Sequence, residues 1–258
     1  MVMRRSGERA LVTGASSGIG RALALKLASE GYELVLTGRD EARLREVAAI
    51  CGDASVIVED LSTPGAADRV AAKCGRIDVL VNNAGFGVHG RFWETDRSQE
   101  EAMIMTHVTA LYGLTKLLLP GMIARDKGRI LNVGSVYSYA PVPEQAMYGA
   151  TKAFLLSLSE SLNGELRGTK VRVTAVLPGM TRTQFRDRAG VVTKRLRGMW
   201  AAEVAEIAYA GMAAGRRIVV PGWQNKLFIG LARHLPPAAF SWVVRQVNAF
   251  RGLEKAAH

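Results

Sequence analysis

The chain has 258 residues, 48% of them apolar and 22% charged, enough to bury one large core, which excludes a disordered tail or a disulfide-stapled miniprotein. Cys51 and Cys74 are too few and too poorly spaced for a zinc cluster or a disulfide framework, so no metal is expected and both read as free thiols in a reducing, cytoplasmic setting. Net charge is +11, but residues 182–258 hold 13 Lys and Arg against 4 Asp and Glu while residues 1–181 hold 21 against 19, so the basicity belongs to the C-terminal part rather than to the fold as a whole.

Residues 1–9 are basic with no apolar run behind them, and no window of about 18 uninterrupted apolar residues follows, so neither a signal peptide nor a membrane span is expected. In chain order, short β-branched runs at 10–13, 34–37, 56–58, 79–81, 130–133, 171–177 and 218–220 read as strands. Between them, segments of helical period lie at 21–30, 41–50, 66–73, 99–119, 147–166 and 203–214. Strict alternation with near-continuous apolar strands predicts an α/β fold: a doubly wound, parallel, seven-stranded sheet in three layers. No linker, repeat or low-complexity segment divides the chain, so 1–258 reads as a single domain. Two stretches fall outside the alternation, 181–200 and 223–250.

The first strand runs into Thr13-Gly14-Ala15-Ser16-Ser17-Gly18-Ile19-Gly20, with a helix directly after it. Glycines at such a turn let the backbone approach a diphosphate, and the helix N-terminus offers unpaired N–H groups; a plain tight turn is the alternative, which the strand before and helix after disfavour. The second strand ends in Thr37-Gly38-Arg39-Asp40, with Arg39 19 residues beyond Gly20. A carboxylate near this point accepts from the ribose 2′-hydroxyl of NAD, whereas a guanidinium suits the 2′-phosphate of NADP. Arg39 therefore points to NADP over NAD, with Asp40 as the competing signal. Tyr148 and Lys152 are four apart in a helical segment and share a face, and Ser135 closes the fifth strand at its carboxyl end, where open parallel sheets bind ligands.

These residues resemble the short-chain dehydrogenase/reductase family, NADP-preferring type, from Ala10 to about Thr183. The resemblance implies a Rossmann-like fold, with Gly14, Ser16, Ser17, Gly18, Ile19 and Gly20 as the cofactor fingerprint. Asp60 and Leu61 look like the adenine contact, and Asn82, Asn83, Ala84 and Gly85 like the turn that steadies the central strands beside the cofactor. Ser135, Tyr148 and Lys152 look like the catalytic trio, and Pro178, Gly179 and Thr181 like the nicotinamide-side loop. On this pattern Tyr148 is the general acid in reduction and the base in the reverse direction, Lys152 holds the nicotinamide ribose and, together with the positive nicotinamide of the oxidised cofactor, favours the Tyr148 phenolate, and Ser135 donates to the substrate oxygen. His107 stands where the family has an asparagine that supports a proton-relay water; the hypothesis is that its carbonyl keeps that water and its imidazole adds a titratable group, against the alternative of a packed histidine.

The expected function is hydride transfer between NADP(H) and a carbonyl or secondary alcohol, a small-molecule substrate of lipophilic character, by a homo-oligomer, dimer or tetramer. The lipophilic reading rests on Phe86, Val136, Tyr139, Pro141, Val142 and Met147 around the catalytic loop. Residues 181–200 read as a substrate lid, with Phe185, Met199 and Trp200 covering an apolar ligand and arginines facing water. Residues 223–250 read as a C-terminal helical extension: two amphipathic helices broken at Pro236-Pro237 that pack on the body or a sister subunit, with peripheral contact to an anionic membrane as the competing reading. Reduction of a 3-oxoacyl thioester on an acidic carrier protein is the alternative activity, and a non-catalytic nucleotide-binding module the third; no nucleic-acid-binding motif occurs.

Overall fold

The computed structural model describes residues 7–52, 54–183 and 198–250. Its strands are β1 (Arg9–Thr13), β2 (Glu33–Gly38), β3 (Ser55–Val58), β4 (Val79–Asn82), β5 (Arg129–Val133), β6 (Arg172–Val176), the short β7 (Thr181–Arg182) and β8 (Met199–Trp200), and β9 (Ile218–Val219). Seven of them form one sheet in the order β3-β2-β1-β4-β5-β6-β9, every neighbour parallel. The chain winds outward from β1 to β3 and then crosses back to β4, so the switch point, where a crevice opens at the strands' carboxyl ends, lies between β1 and β4. The Rossmann-like expectation is met. The paired β7 and β8 form a second, two-stranded ribbon that the sequence pattern did not announce, because two residues are too short for any periodicity.

The helices are α1 (Gly18–Ser29), α2 (Glu41–Ile50), α3 (Ala66–Cys74), α4 (Arg97–Ile104), α5 (Leu111–Ala124), α6 (Ala146–Glu165), α7 (Ala201–Ala213), α8 (Trp223–His234) and α9 (Pro237–Phe250). Alternation along the strands builds the layers: Ala10, Val12, Leu36 and Val81 pack with α1, α2 and α7, while Leu11, Val35, Leu80 and Ile130 pack on the opposite face with α3 and α5. α1 begins three residues before the expected 21, taking the last two fingerprint glycines into its first turn.

The helix expected over 99–119 runs from 97 to 124 and changes register inside: α4 passes into a π turn over Met105–Ala110, which passes into α5. By length and composition this stretch is apolar enough to cross a membrane, yet Ala110, Leu114 and Met122 bury against the sheet as its covering layer. The C-terminal pair forms as the proline break predicts, with Pro237 opening α9, where its missing N–H costs nothing. Phe240 and Val244 bury on Ala140 and Val142, so α9 packs on the loop that precedes α6.

Candidate active site

The phosphate-type turn is assembled from both sides of the switch point. Thr13 donates through Oγ1 to the Val81 carbonyl at 3.1 Å, and the same oxygen accepts from the N–H groups of Asn83 and Ala84 at 2.9 and 3.0 Å. Asn83 Nδ2 donates to the carbonyls of Thr13 and Gly14 at 2.9 and 3.3 Å, clamping the glycine-rich turn from beneath. A Cβ on Gly20 would lie 2.3 Å from both Asn83 Nδ2 and the Gly14 oxygen, so only glycine lets α1 sit this close to the turn. Ser17 is the N-cap of α1 without any side-chain cap, which leaves the first-turn N–H groups available to an anion. This cradle fits a dinucleotide diphosphate.

At the end of β2, the Arg39 side chain is well exposed, with Nη1 4.0 Å from Asp60 Oδ2. Asp40, the competing signal for NAD, caps α2 instead: its Oδ1 accepts from the Arg43 N–H at 3.1 Å and its Oδ2 lies 3.4 Å from Arg43 Nε. Asp60 is partly buried, which pushes its carboxyl up, but hydrogen bonds from Ser62 N and Oγ and the Arg39 charge outweigh this and hold it below the usual range. Leu61 turns inward and lines a small cavity with Thr13, Asn82, Ala84, His107 and Lys152.

Ser135 follows β5 and caps a single 3-10 turn over Val136–Tyr139, its Oγ accepting from the Tyr137 N–H at 3.2 Å. Tyr148 and Lys152 lie one turn apart on α6, 8% and 5% exposed, with Lys152 Nζ 5.6 Å from the Tyr148 ring centre. The phenol and the Ser135 hydroxyl are hydrogen-bonded. Burial drives the Tyr148 pKa well above its ordinary value; the bond with Ser135 opposes this and the neighbouring Tyr137 phenol adds to it. Burial also brings Lys152 down to about 8, and its Nζ donates to the Val133 carbonyl at 3.0 Å. In this arrangement desolvation of the phenolate outweighs a cation engaged on β5, so lowering of the Tyr148 pKa is left to Lys152 acting together with the nicotinamide charge. The expected titration of His107 fails: the ring is fully buried beside Lys152, and burial first, then that charge, hold its pKa well below the ordinary 6.5.

The nicotinamide-side loop is pinned to the serine loop by the Val136 N–H donating to the Pro178 carbonyl at 3.1 Å, and Thr181 Oγ1 donates to the Gly179 carbonyl at 3.3 Å. α8 supports this loop through Asn225, whose side chain lies against Gly179 and donates to the Pro221 carbonyl at 2.6 Å. In the expected lid, residues 184–197 lie outside the described residues, Phe185 and most of the arginines among them; at its ends the Arg182 guanidinium stacks 4.4 Å over the Trp200 ring. Asn82, expected at the cofactor, spends its amide nitrogen on Asn132 Oδ1 at 2.9 Å and Thr115 Oγ1 at 3.2 Å, inside the sheet. Asn83 lies in the NNAG run named in the sequence, whereas Asn225 and Thr151 carry no signal there, because each joins segments with no pattern in common.

Residues 8–191 match the short chain dehydrogenase family. The chain belongs to that family. A probable NADP-dependent dehydrogenase of Haemophilus influenzae is 37% identical over 177 residues, 66% of this chain and 70% of the relative. A short-chain dehydrogenase of Sphingobium yanoikuyae, solved with NADPH, superposes with a TM-score of 0.80 at 32% identity, covering 97% of this chain and 98% of that one. A family member from Burkholderia phymatum, solved with NAD, shares the fold at 23% identity and a TM-score of 0.79, each chain covered to 99%. This short chain dehydrogenase is thus an oxidoreductase that moves hydride between a nicotinamide dinucleotide and an alcohol or carbonyl substrate.

Proposed function

We propose that this chain is an NADP-linked reductase of lipophilic ketones, working through Ser135, Tyr148 and Lys152. The observation that carries the reading is the buried Tyr148 phenol hydrogen-bonded to Ser135, one helical turn from Lys152 at the carboxyl end of β5. Gly14, Ser16, Ser17, Gly18, Ile19 and Gly20 would hold the diphosphate, Asp60 and Leu61 the adenine, Ala84 and Gly85 the central part with Asn82 bracing the strand behind them, and Pro178, Gly179 and Thr181 the nicotinamide side. Bound there, the dinucleotide supplies hydride to the carbonyl carbon. Tyr148, kept protonated by burial, donates its phenolic proton to the substrate oxygen. Ser135 Oγ accepts from the Tyr137 N–H, and its hydroxyl hydrogen, directed at the Tyr148 phenol, would turn to donate to the substrate oxygen as negative charge develops. Lys152, whose Nζ donates to the Val133 carbonyl, would hold the nicotinamide ribose.

Arg39 supports NADP over NAD, since Asp40 is occupied as the α2 cap and the exposed guanidinium, 4.0 Å from Asp60, is the cation beside the second strand. The lipophilic class is supported by the aromatic wall beside Tyr148: Tyr137 stands edge-on to it at 6.4 Å, Phe228 is 6.1 Å from Tyr137, and Phe240 is 5.1 Å from Phe228. Homo-oligomerisation is supported by Tyr112, Leu117 and Ile123, large apolar side chains exposed along α5. Oxidation and reduction assayed with NADP and NAD against free aryl ketones, sterols and acyl thioesters tests the reading. NADPH-dependent turnover of the free ketones is expected, and turnover confined to the thioesters overturns it.

A further inference from the structure

His107 sits in the π turn between α4 and α5, 2% exposed, and joins two segments that the sequence keeps far apart. Its Nε2 accepts from the Phe86 N–H at 3.1 Å, so that nitrogen carries no proton. Nδ1, 2.9 Å from Thr151 Oγ1, then holds the ring's one proton and donates it; Thr151 Oγ1 passes its own hydrogen to the Tyr148 carbonyl at 2.8 Å. The ring also stands edge-on to Phe86 and Tyr148, centroids 6.1 and 5.9 Å away. A Cβ on Gly85 would lie 2.5 Å from Nε2, so the imidazole reaches Phe86 only because residue 85 has no side chain. The fixed acceptor role of Nε2 and the charge of Lys152 both oppose a second proton on the ring.

We propose that His107 is a positioning residue: a neutral imidazole in the Nδ1–H form that ties the loop at 84–86, on the dinucleotide side, to the turn of α6 that aims Tyr148. The proposal rests on the catalytic reading of Tyr148. It assigns the two nitrogens separate duties, Nε2 holding the loop and Nδ1 holding the helix turn. An asparagine amide nitrogen falls about where Nδ1 does and leaves the Phe86 N–H without a partner, whereas a glutamine oxygen reaches the Nε2 place and leaves Thr151 without one.

Substitution can therefore separate the duties. His107→Asn should weaken NADPH binding while largely keeping kcat; His107→Gln should keep the NADPH Kd and lower kcat. His107→Phe should do both, each change being on the order of tenfold, the scale of a misaligned reacting group. Thr151→Val should copy the glutamine variant, and Thr151→Ser should restore the wild-type rate. Independently of turnover, ¹⁵N resonances of the imidazole in the dinucleotide-free protein should show a protonated Nδ1 and an unprotonated Nε2 from pH 6 to 8. A proton on Nε2 at pH 7 overturns the proposal, as does a set of variants that shift only the thermal midpoint and leave both kcat and the NADPH Kd at wild-type values. Retained turnover in Tyr148→Phe overturns the catalytic reading instead, and leaves the ¹⁵N result to judge the tie by itself.

Discussion

Tyr148 is held between burial, which penalises the phenolate, and the Ser135 hydroxyl, which favours it, and burial wins. Tyr148→Phe should keep the packing against Tyr137 and His107 but remove the proton donor; turnover should fall by about 10²–10⁴, the usual worth of a general acid, while the NADPH Kd measured by fluorescence stays within about twofold. At Lys152 the sign is opposite. Its folded pKa of about 8 lies below the ordinary 10.5, so between these values the unfolded chain binds more protons and stability rises with pH. Relative to Lys152→Met, unfolding of the dinucleotide-free wild type by urea should gain up to about 3 kcal/mol from pH 8 to 10.5, the linkage equivalent of the shift. A flat difference across that window would mean that the amine is solvated. Arg39→Ala should raise the Kd for NADP at least about tenfold, the loss expected for a hydrogen bond between charged groups, and leave the Kd for NAD nearly unchanged. Isothermal titration with both nucleotides measures this, and equal changes would refute the 2′-phosphate assignment.

Between elements, the sheet's covering layer is locked by a chain of buried amides and hydroxyls. Asn82 of β4 donates to Asn132 Oδ1 of β5 at 2.9 Å, Asn132 donates to Ser159 Oγ of α6 at 2.9 Å, and Ser159 donates to the Leu155 carbonyl at 2.7 Å. This chain sets how far α6 stands from β5, and hence where Lys152 and Tyr148 lie against Ser135. Asn132→Leu matches the apolar strand around it but takes the partner from a donor on β4 and from an acceptor on α6; it should cost about 1–3 kcal/mol, read as a thermal midpoint lowered by roughly 3–10 °C. The fall in kcat should exceed any change in NADPH affinity. The strands were legible as short, near-continuous β-branched apolar runs, and most helices from period 3.6, with ends shifted by a few residues. The π turn was not, because one extra residue per turn leaves composition and apolar spacing over 97–124 almost unchanged.

For the whole molecule, α8 and α9 back the loops of the proposed site: Asn225 of α8 lies against Gly179, and Phe240 of α9 packs on Ala140 and Val142. Phe240, 1% exposed, joins the aromatic series that leads through Phe228 and Tyr137 to Tyr148. Phe240→Ala should raise KM for bulky ketones more than for small ones and leave the NADPH Kd alone, since the substitution opens a cavity on the substrate side only. The opposite face of α8 presents Trp223, Leu227 and Leu231, with Leu235 just past its end, all exposed, and Trp242 of α9 is exposed as well. A stripe of this kind is covered by a sister subunit or lies on an anionic bilayer. Light scattering of wild type and Leu231→Glu, together with sedimentation on anionic liposomes, separates the two: a loss of subunits in the variant marks an interface between copies, and liposome binding without that loss marks a bilayer.

The sequence by itself determined the parallel α/β layering, the glycine-rich turn and the spacing of Ser135, Tyr148 and Lys152, because each is written in local periodicity or in a short run of neighbouring residues. Only the tertiary structure decided that Asp40 caps α2 and leaves Arg39 exposed, that Asn83 and Asn225 brace the two loops, and that burial rather than Lys152 governs the Tyr148 proton. Those outcomes depend on contacts between segments distant in the chain and on the dielectric around a side chain once packed. Neither quantity exists until the layers close.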